Sequence, residues 1–201
     1  IKAVREAKVH TGWLKPDTDY EDAFLGFIER ILEPSKDNRF LGELRQWTRK
    51  IARFGALNSL SQTLLKLTCP GAPDLYQGTE LWDLCFVDPD NRQAVDFECR
   101  QKLLAEIKKR EKENLQLLLL DLLTHWEDGR VKLFLTYKAL NFRAWQNELF
   151  QNGSYVPLTV SGAAARRVCA FARRDGAAWS VVAVLRFPTG VISDVEGALG
   201  G

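Results

Sequence analysis

The 201 residues carry 28 basic and 26 acidic side chains spread along the chain, for a formal net charge of +2. Hydrophobic residues make up 46% and charged residues 27%, the balance of an ordinary soluble globular protein of one or two domains. This composition argues against a nucleic-acid-binding surface and an acidic disordered tail, and apolar runs such as residues 117–120 are far too short to span a membrane.

The sequence starts at Ile1 and contains no methionine, so we expect it to be a piece of a longer protein. Its four cysteines form no CxxC pair and have no histidine at ligand spacing, which argues against a zinc site. Scattered thiols are typical of a reducing cytoplasm, and we predict that location. We predict no cofactor and no metal.

The first seventy residues are predicted to be helical. Residues 1–10 indicate the end of one helix, and Thr18 or Asp19 can cap the next. Gly55 marks either a break between helices or a close contact. Three apolar stripes of helical period follow one another: Tyr20, Phe24, Phe27, Ile28, Ile31 and Leu32; Phe40, Leu41, Leu44, Trp47, Ile51 and Phe54; and Leu57, Leu60, Leu64 and Leu67.

Residues 70–83, the central stretch, interrupt this pattern with two prolines and two glycines. Residues 72–76 have room for one short strand. The polar residues Gln77, Thr79, Glu80 and Asp83 would then follow the carboxyl end of that strand, where loops of α/β folds build ligand sites. A surface turn between two helices is the alternative.

Alternating Asp and Asn at residues 88–92 suggests a calcium loop. An EF-hand requires glycine at position 93 and an acid at position 99, where this chain has Gln93 and Cys99. We therefore interpret the segment as an Asx-type turn, in which the side chains bond their own backbone.

In the second half of the chain, the period of the apolar residues changes from helical to alternating. Residues 97–126 are predicted to form one helix and residues 133–145 another, with helix dominating up to about residue 150. From about Tyr155 the pattern alternates and predicts antiparallel strands, with Asp175-Gly176 as a hairpin turn. The fold class is therefore α+β.

Several stretches together resemble the maltooligosyltrehalose synthases, a family of mutases in the α-amylase superfamily. The proline–glycine skeleton of the central stretch alone is typical of the wider superfamily, whose eighth barrel strand carries a similar pattern. The matching stretches are Lys8-Val9-His10-Thr11-Gly12-Trp13, residues 57–68, the central stretch with its continuation Val87-Asp88-Pro89-Asp90-Asn91-Arg92, and residues 129–136, and the likeness extends into the strands.

The resemblance implies a fold and a reaction. Residues 1–126 would be the last strand and helices of a (β/α)8 barrel, and residues 127–201 a C-terminal domain holding part of an antiparallel β-sandwich. The family converts the reducing-end α-1,4 linkage of a maltooligosaccharide into an α,α-1,1 linkage by a retaining double displacement. Its third catalytic acid follows a His-Asp-Thr sequence. Because this chain has no His-Asp, we expect all three catalytic carboxylates upstream of Ile1 and none in this chain.

The resemblance implies that this chain contributes residues to the rim of the substrate site. Amide, carboxylate and guanidinium groups hydrogen-bond sugar hydroxyls, and an indole offers a flat face to a pyranose ring. For Glu80 and Arg92, a structural ion pair that holds the loop is the alternative. The predicted substrate-binding residues are Gln77, Thr79, Glu80, Trp82, Asp90, Asn91 and Arg92.

The implied partners are a maltooligosaccharide and the missing N-terminal part of the same barrel. Without that part, apolar faces should be exposed or the chain should self-associate. The competing functions are another α-amylase-superfamily hydrolase or glucanotransferase, and a non-catalytic carbohydrate-binding module.

Overall fold

The computed structural model describes residues 1–85 and 90–192, and of Asp90 only the backbone. The chain divides into two compact units, Ile1–Ala52 and Arg53–Gly201. The domain boundary predicted after residue 126 falls within the second unit and stays a prediction. No helix of the described part is both long and apolar enough to cross a bilayer.

The first unit contains α1 (Lys2–Ala7), α2 (Thr18–Leu32) and the beginning of α3 (Arg39–Thr68). The cap of α2 is Asp17, whose carboxylate accepts a hydrogen bond from the Tyr20 amide at 3.0 Å. The predicted caps, Thr18 and Asp19, are wrong, because both residues already lie inside the helix, where a side chain no longer reaches the first free amides.

A buried carboxylate joins α1 to α2. Glu21 is only 5% exposed, and it accepts two hydrogen bonds from the Arg5 guanidinium, at 2.7 and 2.6 Å, and one from the Thr11 hydroxyl at 2.6 Å. The hydrogen bonds from Arg5 and then Thr11 lower the pKa of Glu21 to about 2. The apolar stripe of α2 is less well covered, since Phe27 is 59% exposed.

Helix α3 runs without interruption through Gly55, so neither predicted role of that glycine is met. A Cβ at position 55 would meet no atom within 4 Å, which rules out a close helix contact there. At the start of the helix, the Asn38 side chain accepts a hydrogen bond from the Leu41 amide at 2.9 Å.

The predicted strand at residues 72–76 is wrong, because the segment has no regular secondary structure. A strand exists only when its backbone groups pair with a neighbouring strand, and no strand of the described residues lies beside this segment. Pro70 and Pro73 also lack amide donors.

The predicted single helix over residues 97–126 is broken at Asn114 into α4 (Phe97–Glu113) and α5 (Leu115–Thr124). Asn114 has an extended backbone, with φ −161° and ψ 101°, and its side chain accepts a hydrogen bond from the Leu117 amide at 3.0 Å. One residue therefore ends α4 and caps α5. The core of this region consists of Ile107, Leu118, Leu122, Val131 and Leu133.

Helices α6 (Arg130–Trp145) and α7 (Asn147–Gln151) come next, so helix dominates to about residue 150 as predicted. The strands β1 (Ser154–Pro157), β2 (Val168–Asp175) and β3 (Ala178–Leu185) form an antiparallel sheet in that order. Asp175 pairs with Ala178, and Gly176 has φ +56°, which confirms the predicted hairpin turn. The predicted sandwich is not formed by these strands alone.

One buried charge in the sheet was not foreseen. Arg173 on β2 is 2% exposed, and its Nη2 donates to the carbonyls of Phe150 at 3.0 Å and Gly153 at 2.6 Å. Burial lowers the pKa of this guanidinium. The side chain thereby ties the end of α7 to the sheet.

Candidate functional site

Basic side chains from later helices hold the ends of the central stretch. Arg143 on α6 donates from Nη1 to the Leu67 carbonyl at 3.0 Å and from Nη2 to the Gly71 carbonyl at 2.5 Å. Lys132 on α6 donates to the Leu81 carbonyl at 3.2 Å. Gly71 and Leu81 have neither helix nor ladder to satisfy their carbonyls, and Leu67 is in the last turn of α3, where carbonyls lack intrahelical partners, so the two long side chains of α6 satisfy all three.

The polar residues follow in a tight turn at 76–80. The Thr79 amide and hydroxyl both donate to the Tyr76 carbonyl, at 3.1 and 2.6 Å. Gly78 has φ +91°, and a Cβ there would lie 3.2 Å from Cγ2 of Val95. Glycine is therefore required both by the backbone and by the approach of residue 95.

Glu80 is engaged in an ion pair. Its carboxylate accepts a hydrogen bond from Nε of Arg100 at 3.1 Å, and Nη2 of Arg100 donates to the Gly78 carbonyl at 2.9 Å. The side chains of Glu80 and Arg100 are 27% and 20% exposed. The partner of Glu80 is therefore Arg100 on α4, whereas the alternative considered from the sequence was an ion pair between Glu80 and Arg92.

An open cavity of about 590 Å³ lies beside this turn. It brings together three of the predicted residues, Gln77, Trp82 and Asn91. The Asn91 Oδ1 atom is buried and accepts no hydrogen bond from the described residues, so it remains available to a donor. The other lining residues are Gly78, Asp83, Leu84, Cys85, Gln93, Ala94, Val95, Asp96 and Arg100.

Trp82 is half-buried and fixed in position. Its Nε1 donates to the Trp126 carbonyl at 2.7 Å, and the Lys132 ammonium lies 5.7 Å from the centre of the ring. A Cβ on Gly129 would come within 3.0 Å of the Trp82 amide nitrogen, so the turn before α6 lies directly against this residue. The indole is thus positioned as a wall of the cavity.

Thr79 lines a different cavity, of about 410 Å³, between α3 and the central stretch. Lys66 and Lys132 lie in the same cavity. Burial lowers the pKa of Lys132, and the nearby Lys66 charge lowers it further. Four of the seven predicted residues are therefore divided between two cavities, with Gln77, Trp82 and Asn91 in one and Thr79 in the other.

The remaining predicted residues have other positions. Among the described residues, Glu80 and Arg92 are not part of the lining of either cavity, and Arg92 is exposed. Asp90 lies in a short 3-10 helix, Asp90–Arg92, and its side chain is outside the described structure, as are residues 86–89. The roles of all these residues in binding stay predictions.

The chemistry of the larger cavity suits hydrogen bonding more than proton transfer. The Cys85 amide donates to the Asp83 carboxylate at 3.0 Å and lowers the pKa of Asp83, which keeps this group ionised. Glu80 is paired with Arg100. Across residues 1–85 and 90–192, no three His, Cys, Asp or Glu side chains gather as a metal site.

Sequence reasoning missed Arg100, Gln93 and Asp96, all of which line the larger cavity. Arg100 is 20 positions from Glu80 and lies on the first turn of a helix that looks ordinary in sequence. No local pattern links residues at that separation, so only the fold could reveal the contact.

No protein-family model matches the chain. Proteins of two Mycobacterium tuberculosis strains, provisionally named maltooligosyl trehalose synthase, are each 35% identical over 174 residues, which is 87% of this chain and 20% of theirs. This chain thus spans about a fifth of the length of the curated relatives it matches.

Solved structures give the same result. The maltooligosyltrehalose synthase from Arthrobacter ramosus matches with a TM-score of 0.76 at 32% identity, over 96% of this chain and 23% of that chain. A hypothetical maltooligosyl trehalose synthase of Sulfolobus tokodaii matches with a TM-score of 0.68 at 30% identity, over 92% and 22%. The resemblance seen in the sequence is confirmed.

Proposed function

We propose that this chain is the C-terminal part of a maltooligosyltrehalose synthase, an isomerase of trehalose biosynthesis. The observation that carries the proposal is its similarity to such enzymes, in sequence and in fold, along nearly its whole length. The free thiols of all four cysteines support a cytoplasmic location.

The proposed reaction moves one glycosidic bond within a maltooligosaccharide. A carboxylate attacks the anomeric carbon next to the reducing-end glucose, and a general acid protonates the departing O4 of that glucose. The freed glucose stays bound and turns, and its anomeric hydroxyl attacks the same carbon, losing its proton to the base as the carboxylate leaves. Substrate and product are isomers, so no co-reactant is needed.

In this proposal, residues 1–126 supply helices from the end of a (β/α)8 barrel, and the following residues form part of a β-sandwich domain. Exposed apolar side chains such as Leu117, at 61%, and Trp145, at 76%, are surfaces that the rest of the protein could cover.

We assign this chain a binding role and no catalytic carboxylate. A retaining enzyme needs two carboxyl groups about 5 Å apart, one of which must hold a proton. Glu80 is paired with Arg100, and the pKa of Asp83 is lowered, so neither is prepared to act as the acid. Gln77, Trp82 and Asn91 are the proposed saccharide contacts, with Thr79, Asp90 and Arg92 nearby.

The test compares the full-length protein with the 201-residue chain on maltopentaose. The full-length protein should remove reducing ends without releasing free sugar, whereas a hydrolase would create new reducing ends. Glu80→Gln or Arg92→Ala in the full-length protein should weaken substrate handling far less than loss of a nucleophile would. The 201-residue chain should be inactive. Turnover by that chain, abolished by a change at Glu80 or Asp90, would place the catalytic centre here and contradict the proposal.

A further inference from the structure

Arg100 makes three hydrogen bonds around one turn of the central stretch. Its Nε donates to the Glu80 carboxylate at 3.1 Å, its Nη2 to the Gly78 carbonyl at 2.9 Å, and its Nη1 to the Asp96 carbonyl at 3.1 Å. The first two acceptors are in the turn at residues 76–80, and the third is the residue that caps α4. A single guanidinium therefore bridges the turn and the beginning of a helix.

The turn has few other constraints. Within it, Thr79 bonds back to the Tyr76 carbonyl, and the Tyr76 hydroxyl donates to the Asn91 carbonyl at 3.2 Å. Neither contact fixes the orientation of the turn relative to α4, which supplies one side of the larger cavity. Arg100 does so, and its planar fork directs two different nitrogens, Nε and Nη2, at the two acceptors, a geometry that the single nitrogen of a lysine ammonium does not reproduce.

We infer that Arg100 is the positioning residue of the larger cavity: it holds the turn through Gly78 and Glu80 and so places Gln77 against the bound ligand. Glu80 then acts on the ligand only through the turn, in agreement with its absence from the cavity lining. That the ligand is a maltooligosaccharide rests on the proposed function, but the positioning role does not.

The first experiment follows amide hydrogen exchange in the 201-residue chain. Arg100→Gln should speed exchange of the Thr79 amide by about 10- to 100-fold, the factor expected when a charge-assisted hydrogen bond is lost. Arg100→Lys should restore little of the protection. The control is Lys102→Gln, which removes a cation from the same helix; Lys102 pairs with Glu98 at 2.7 Å on the surface and not with the turn, as far as the described residues go. Unchanged exchange in Arg100→Gln, or an equal rise in the control, would overturn the inference.

Glu80→Gln provides a second variant should Arg100→Gln fail to fold. It leaves α4 intact and removes the negative charge from one of the two acceptors in the turn, which weakens that hydrogen bond, so exchange at Thr79 should rise by a smaller factor. The effects of Glu80→Gln and Arg100→Gln should not add, because both remove the same contact. Additive effects, or no rise in Glu80→Gln, would show that the residues act independently and would contradict the inference.

The second experiment uses the full-length protein and maltopentaose. Arg100→Gln should raise KM at least about tenfold while kcat falls less, because binding geometry is lost and the chemical groups are elsewhere. A lowered unfolding temperature with unchanged KM would reveal a purely structural role and overturn the inference. If the unmodified full-length protein forms no trehalose-ended product, the proposed function fails, whereas the exchange result still decides the role of Arg100.

Discussion

Gly129→Ala should be the most informative single change at the candidate site. Gly129 is buried at the start of α6, with φ +80°. A Cβ at this position would lie 3.0 Å from the Trp82 amide nitrogen and 3.2 Å from the Leu81 Cβ. These two neighbours are backbone and the root of a side chain, so neither can move aside without displacing the central stretch.

The expected cost has two parts. An L-residue in the left-handed region loses about 1–2 kcal/mol, of which about 0.4–1 kcal/mol is recovered because alanine restricts the unfolded chain. Crowding against the Trp82 backbone adds about 1–3 kcal/mol. Gly129→Ala should therefore lower the free energy of unfolding by about 1–5 kcal/mol.

Gly176→Ala is the matched control. Gly176 also has a positive φ, +56°, but a Cβ there would meet no atom within 4 Å, so only the backbone cost of about 1 kcal/mol applies. Both glycines lie in the unit Arg53–Gly201, so urea unfolding followed by circular dichroism compares them on the same transition. Equal destabilisation by the two variants would refute the close approach of residue 129 to the central stretch.

Three further predictions concern stability and association. The ion pair with Arg5 holds the pKa of Glu21 at about 2, below its unfolded value of about 4.3. The contribution of the Glu21 carboxylate to stability is therefore present above about pH 4.5 and is lost as the pH falls towards 2. Glu21→Gln should remove this part of the acid dependence, measured as urea midpoints at pH 3 and 6. Asn114→Ala should cost about 1 kcal/mol of unfolding free energy through loss of the α5 cap, and an unchanged urea midpoint would contradict that role. The chain should self-associate through exposed apolar residues such as Trp47, at 63% exposure, and Trp47→Lys should lower its average mass in sedimentation, whereas a strict monomer would count against the prediction.

The elements that depend on local pattern were predictable. Helical and alternating periods identified the helices up to about residue 150 and the strands after it, because side-chain period reflects the local backbone. The strand at residues 72–76 was predicted wrongly because a strand depends on a partner, and that partner is not a local property. The helix break at Asn114 was overlooked because the apolar pattern continues through it. The break depends on the Asn114 side chain, which accepts a hydrogen bond from the Leu117 amide.

Sequence reasoning found residues that share a cavity but not how they are arranged. Gln77, Trp82 and Asn91 line one cavity and Thr79 lines another, and saccharide binding by any of them stays a prediction. The partner of Glu80 could not be found from sequence, because 20 residues and a helix start separate it from Arg100. A buried arginine such as Arg173 is equally hidden, since only the fold brings the Phe150 and Gly153 carbonyls to its side chain.

Contacts join the central stretch to residues 129–136, another of the stretches that carry the resemblance. The central stretch has neither helix nor sheet to hold it, so its position depends on what lies against it. Gly129 and Lys132, in the stretch 129–136, contact residues 81–82 by close approach and by a hydrogen bond to the Leu81 carbonyl. A change in either stretch would move Trp82 and with it one wall of the cavity, so the two stretches act as a single structural unit. Arg100, outside both, completes that unit from α4.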